Sequence, residues 1–213
     1  MNLYTFVMSP NARKARMAAL LLGTSMELVT VDLAKGEQRK PEFLKINPNG
    51  RVPVLEDEGL VLWESNAIMA YLADKKPGNT LYPSELRARA DVNRWMFWAA
   101  SHWSPAFGAL NFENSLKRLF NLGDPDPAQV KRQEDFLRTF AAVLDGHLAG
   151  GRQWLCGPAL TLADIAVGVP LMMTARAKAP VQSYANLQAW FGRVQALDAW
   201  KQTEPPPLPA GRP

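Results

Sequence analysis

Every strand-like run in this sequence lies before Pro77-Gly78, and only helical periodicity follows. That asymmetry restricts the chain to an α/β unit followed by an all-α unit. Asn2 to Val7 carries the aromatic and β-branched enrichment of a strand, and Pro10 to Leu22 reads as a helix closed by Gly23. Glu27 to Asp32 is a second strand and Pro41 to Ile46 a short helix. Val52 to Glu56 and Leu60 to Trp63 flank Asp57-Glu58-Gly59, a hairpin signal, and Ser65 to Lys75 is helical again. The order βαβ, helix, ββα predicts a mixed sheet with helices on its faces.

We place this first domain at residues 1–77, a linker at 78–84 and the helical domain at 85–204. One long helical pattern runs from Ser84 to about Asn121, bent at Ser104-Pro105, because proline lacks a donor and clashes with the preceding turn. Asp126-Pro127 opens another amphipathic helix, ended by Gly150-Gly151, and Thr161 to Lys178 and Ala185 to Trp200 complete the bundle. Thr161 to Asp164 has capping-box spacing and reads as structural. Residues 205–213 are proline-rich and are expected to form a mobile, extended tail.

Several function classes lose ground at this point. No apolar run approaches the roughly 18 residues needed to cross a bilayer, so no membrane partner is expected. The single Cys156 excludes an internal disulfide framework, and with His102 and His147 far apart in sequence no metal site is expected. The net charge of +4 is spread along the chain without interleaved aromatic residues, which argues against nucleic acid and suits a small anionic ligand. A cytoplasmic protein is the expectation.

Four places could carry chemistry. Val52-Pro53 puts a proline at the mouth of a strand, where it either starts the strand or, if cis, leaves the Val52 backbone open to an extended ligand. Glu64-Ser65 opens a helix: the hydroxyl suits a cap, the first-turn N–H groups suit a carboxylate, and Glu64 suits an ammonium group. Ser9-Pro10-Asn11 is either a cap or a hydroxyl and an amide presented to a thiolate. Gln38 and Arg39 precede Pro41 in a polar loop and are either a solvated run or a clamp for a second carboxylate. Trp103 and Phe107 belong to an aromatic cluster explained mostly by core packing, and are expected to line an apolar cleft as well.

Taken in order, Val31-Asp32-Leu33, Lys35-Gly36-Glu37, Pro41 to Leu44, Asn47 to Leu55, Glu64 to Ile68 and Leu160 to Ala166 resemble the glutathione transferase superfamily over nearly the whole chain. The resemblance implies a thioredoxin-like first domain and a helical bundle, with glutathione as co-substrate, a small hydrophobic electrophile as acceptor, a homodimer and a role in detoxification. It implies that the Val52 backbone pairs with the cysteinyl part of glutathione, that Pro53 is cis, and that Glu64 and Ser65 hold the γ-glutamyl end. Gln38 and Arg39 would meet the glycyl carboxylate, with Gln38 standing where some relatives have histidine. Ser9 matches the serine-type classes, and Asn11 matches a bacterial subgroup similar to the Nu class, which leaves two candidates for the activating residue. Conjugation is the expected reaction. Glutathione-dependent disulfide or hydroperoxide reduction and a non-catalytic binding module are the alternatives.

Overall fold

The computed structural model describes residues 1–206, so the greater part of the expected tail lies outside the described residues; Pro205 and Pro206 belong to no helix or strand. The described residues divide into two units, residues 1–82 joined by 197–206, and residues 83–196.

The first unit runs β1 (Asn2–Thr5), α1 (Pro10–Leu22), β2 (Glu27–Thr30), a 3₁₀ turn (Glu37–Arg39), α2 (Pro41–Ile46), β3 (Val54–Asp57), β4 (Leu60–Trp63) and α3 (Ser65–Asp74). The sheet order is β2-β1-β3-β4; β1 and β2 are parallel, and β3 is antiparallel to both β1 and β4. β3 begins two residues later than the sequence suggests because Pro53 has no N–H to give to the ladder. Its hairpin turn uses two left-handed residues, Glu58 at φ 49° and Gly59 at φ 88°, as a two-residue turn of right-handed twist requires. One face of the sheet carries Val31, Phe43, Val52 and Val54, with Tyr4, Phe6, Leu33 and Ile46 packed around them. α1 and α3 pack against each other, burying Ala12, Ala15 and Ala18 of α1 and Ile68, Met69 and Leu72 of α3.

The second unit contains α4 (Leu86–Trp98), α5 (Ser104–Asn111), α6 (Lys117–Leu119), α7 (Pro127–Leu148), α8 (Leu162–Gly168), α9 (Thr174–Ala177) and α10 (Ala185–Ala196). α4 to α6 form one continuous helical run interrupted by π-helical turns at Ala99–Trp103 and Phe112–Leu116. The first widening lies just before Pro105, where the chain must avoid a clash between the proline ring and the carbonyl one turn back. α7 is capped as its sequence predicts, with the Asp126 carboxylate accepting from Ala128 N at 2.9 Å.

One expectation about domain limits is corrected. The helix expected to run to Trp200 stops at Ala196, and a separate α11 (Asp198–Gln202) belongs to the first unit, not to the bundle. Arg13 of α1, only 1% exposed, ties α11 to the first unit. Its guanidinium donates to the Trp200 carbonyl at 2.8 Å and to Thr203 Oγ1 at 3.2 Å, and lies 3.8 Å from the Trp200 ring centroid. A buried cation requires acceptors, and this chain supplies them from residues almost two hundred positions away.

Candidate functional site

The ladder sets the location of the site. Tyr4 near the end of β1 pairs with Val54 at the start of β3, which pairs with Trp63 at the end of β4. The segments continuing from these three residues, Ser9 to Asn11, Val52-Pro53 and Glu64-Ser65, therefore leave the same end of the sheet. α1 and α3 both start there, so the positive ends of two helices point at this edge, and neither carries an acidic residue within its first turn.

Ser9 is the N-cap of α1: its backbone is extended and its Oγ accepts from Ala12 N at 3.2 Å, a cap worth about 1 kcal/mol. Asn11, in the first turn, is exposed at the backbone level of the helix end, and its Oδ1 accepts from Ser65 Oγ at 3.5 Å. The structure thus joins two candidates that are 54 positions apart. Ser65 is not the helix cap that its sequence position allows. The N-cap of α3 is Glu64, and the Ser65 hydroxyl is buried at the first helical position and donates across to α1. Glu64 is exposed and held at φ 74°, a left-handed conformation that costs a non-glycine residue on the order of 1–3 kcal/mol.

The Val52–Pro53 peptide bond is cis, and both residues are buried. The turn that carries Gln38 and Arg39 is built by carboxylates: Asp32 Oδ1 accepts from Ala34 N and Lys35 N, and Glu37 Oε2 accepts from Asp32 N at 2.8 Å. Arg39 is exposed, whereas Gln38 Oε1 is buried and has no hydrogen-bond partner among the described residues. Asn47 organises the adjoining loop, donating to Arg51 O at 2.7 Å and accepting from Asn49 N at 3.0 Å. Gly50 in that loop sits at φ 60°, so close that a Cβ there would be 3.1 Å from the Gln38 carbonyl oxygen. The Gln38 turn and the approach to Val52 are therefore in direct contact.

Two sequence expectations need comment. Trp103 and Phe107 do not line a cleft: both are fully buried in the helical unit, edge to face at 4.8 Å, and the Trp103 indole donates to the Val167 carbonyl at 2.9 Å. Their spacing of four on one helix face is that of core residues, and the indole N–H is already satisfied. Lys14 was missed. It lies one turn beyond Asn11, is 2% exposed, and burial pushes its ammonium down to about 8 against the pull of Glu64. A lysine in the small-residue stripe Ala12, Ala15 and Ala18 was the available signal. Tyr4 is committed elsewhere, its hydroxyl donating to Glu56 Oε2 at 2.9 Å.

Among the described residues no helix is long and apolar enough to cross a membrane, and no three His, Cys, Asp or Glu side chains converge as a metal site would need.

Comparison with known proteins accounts for both units. Residues 1–74 match the family model of the glutathione S-transferase N-terminal domain and residues 127–193 that of the C-terminal domain. Glutathione S-transferase D7 of Drosophila melanogaster is 30% identical over 95% of this chain and 88% of its own length. Glutathione S-transferase theta-2B of Homo sapiens is 33% identical over 92% of this chain and 81% of its own. A glutathione transferase family member from Pseudomonas fluorescens, solved with two glutathione bound, superposes with a TM-score of 0.87 at 28% identity, covering 97% of this chain and 92% of that one. With a thioredoxin-like sheet, a helical second unit and full-length relatives of this identity, the chain belongs to the glutathione transferase superfamily.

Proposed function

We propose that the chain is a glutathione transferase that binds glutathione along the sheet end described above and activates its thiol for attack on a small hydrophobic electrophile. The observation that carries the reading is the Asn11–Ser65 contact, which gathers two helix N-termini and their polar side chains at the mouth of β3. With Asn11 Oδ1 accepting from the Ser65 hydroxyl, the Asn11 amide NH2 is the group that can donate to a ligand. Likewise Ser9 Oγ accepts the Ala12 N–H, which leaves its own O–H to donate. Both residues can therefore hydrogen-bond to a thiolate.

In this reading the Val52 backbone pairs with the cysteinyl unit beside Pro53, Glu64 takes the γ-glutamyl ammonium, and the first turn of α3 at Ser65 takes its carboxylate. Gln38 and Arg39 meet the glycyl carboxylate, which would give the Gln38 side chain a partner. A free thiol ionises near pH 8.5, and lowering that by one to two units requires roughly 1.4 to 2.7 kcal/mol of preference for the thiolate, within reach of one charge-assisted hydrogen bond plus two helix ends. The thiol proton passes to solvent, and the thiolate sulfur then forms the bond to the electrophile; in a substitution the leaving group departs with its bonding electron pair, and in an addition the anion formed on the adduct takes a proton from solvent. Leu86 and Phe97, both exposed and about three turns apart on α4, support a homodimer, and a cytoplasmic setting is proposed with it.

The test is a glutathione titration at several pH values, followed by thiolate ultraviolet absorbance, on the wild type, Ser9→Ala, Asn11→Ala and the double variant. Saturable thiolate formation below pH 8 is expected, lost in the variant that removes the activating donor. Binding without ionisation would favour a non-catalytic module, and no binding would remove the site assignment.

A further inference from the structure

Glu85 and Glu64 both occupy N-cap positions, and they behave differently. Glu85, at the start of α4, is exposed and folds its carboxylate onto its own helix, accepting from Arg87 N at 2.9 Å and from Ala88 N at 2.7 Å. An acidic side chain at a positive helix end ordinarily does this. Glu64, at the start of α3, is also exposed, yet its side chain makes no capping hydrogen bond.

Two features separate Glu64 from Glu85. Its backbone stands at φ 74°, where Glu85 has −63°. It also interacts with a buried cation. Lys14 is 2% exposed on α1, the helix packed against α3, and lies one turn from Asn11 on the same side of that helix. Asn11 accepts from Ser65, the residue after Glu64, so Lys14 and Glu64 flank one contact between the two helix starts. Burial pushes the Lys14 ammonium down to about 8, and the charge of Glu64 acts on it in the opposite sense. An ammonium taken out of water draws a carboxylate toward it, because pairing offsets part of the lost hydration.

We infer that Lys14 is a positioning residue for the γ-glutamyl end of glutathione: its buried charge holds the Glu64 carboxylate off the N-terminus of α3, which keeps that helix end for the ligand's carboxylate and Glu64 for its ammonium group. Without Lys14, Glu64 swings onto the first turn of α3 as Glu85 does on α4, and both charges of the ligand's end lose their partner. Lys14 acts through Glu64 and does not itself touch the ligand. The inference rests on the glutathione reading above and adds a residue that the reading does not use.

The test is a double-mutant cycle at pH 7, where Lys14 is charged, with glutathione binding measured by isothermal titration. Lys14→Met should weaken binding about fivefold, the equilibrium weight of one helix cap, and the uncharged Lys14→Gln should do the same. Glu64→Gly removes the side chain that would swing, and glycine adopts φ 74° without strain. In the Glu64→Gly background Lys14→Met should change affinity by less than about twofold, whereas lost packing on α1 would weaken binding there as much as in the wild type. The inference is overturned if neither Lys14 variant weakens binding, or if the effect of Lys14→Met is the same in both backgrounds. Failure of the wild type to bind glutathione, or of Glu64→Gly alone to weaken it, would remove the γ-glutamyl assignment and this inference with it.

Discussion

Replacing Asp164 by alanine is expected to destabilise the helical unit by about 4 kcal/mol, far beyond an ordinary substitution. The carboxylate is completely buried, 0% exposed, in the first turn of α8. It accepts four hydrogen bonds, from Leu155 N, Thr161 N and the Trp190 indole at 2.9 Å each and from the Thr161 hydroxyl at 3.1 Å. Alanine leaves the donors in place and removes their only shared acceptor. The hydroxyl can rotate, but three N–H groups cannot, and a buried donor left unpaired costs about 1–3 kcal/mol, or about 3–9 kcal/mol for three. Part is returned because the carboxylate no longer has to be desolvated, a cost visible in burial raising its pKa against those same hydrogen bonds. The lower half of the range is therefore expected. For a chain of this size 4 kcal/mol corresponds to a fall of roughly 8–16 °C in Tm. Denaturant titration followed by tryptophan fluorescence measures it directly, since Trp190 is itself a partner. Asp164→Asn, which keeps one acceptor oxygen, should fall between alanine and wild type. A loss below about 1 kcal/mol for alanine would show that the donors find other partners and would refute the reasoning.

Three further outcomes follow from particular residues. Gly50→Ala should cost about 1–2 kcal/mol and weaken glutathione binding, because φ 60° disfavours a side chain and its Cβ would meet the Gln38 carbonyl at 3.1 Å; isothermal titration alongside denaturation checks both. Cys156, whose thiol burial pushes up to about 12, with Asp91 adding to the effect, should react with Ellman's reagent at pH 8 slowly in the folded protein and promptly once unfolded. Lys14 has a folded-state ammonium near 8 against an ordinary 10.5, so the unfolded chain binds more protons between those values and stability rises with pH across that window. Relative to Lys14→Met, the wild type should therefore gain up to roughly 3 kcal/mol between pH 8 and 10.5, and parallel stability curves would contradict this assignment.

Local signals carried the element order well. Ser9-Pro10 and Asp126-Pro127 are caps whose chemistry acts within three residues, so sequence and structure agree there. What sequence could not supply was set by distant partners. Nothing near Ser65 reveals that its hydroxyl turns to Asn11, and nothing near Glu64 requires φ 74°. Trp103 and Phe107 were misplaced for the same reason: an aromatic stripe looks alike whether it faces a ligand or the carbonyl of Val167. The attachment of α11 to the first unit runs through a guanidinium on α1, which periodicity within the last helix cannot register.

That last contact has a consequence for how the protein is made. Arg13 and the Trp200 carbonyl are separated by 187 positions, so the thioredoxin-like unit is discontinuous and cannot be completed when its first 82 residues leave the ribosome. At about 5–20 residues per second, the nascent α1 waits on the order of 10–40 s for the segment that receives its arginine. During that interval a cation destined for the interior has no acceptor from α11, and the first unit to be translated is among the last to be closed.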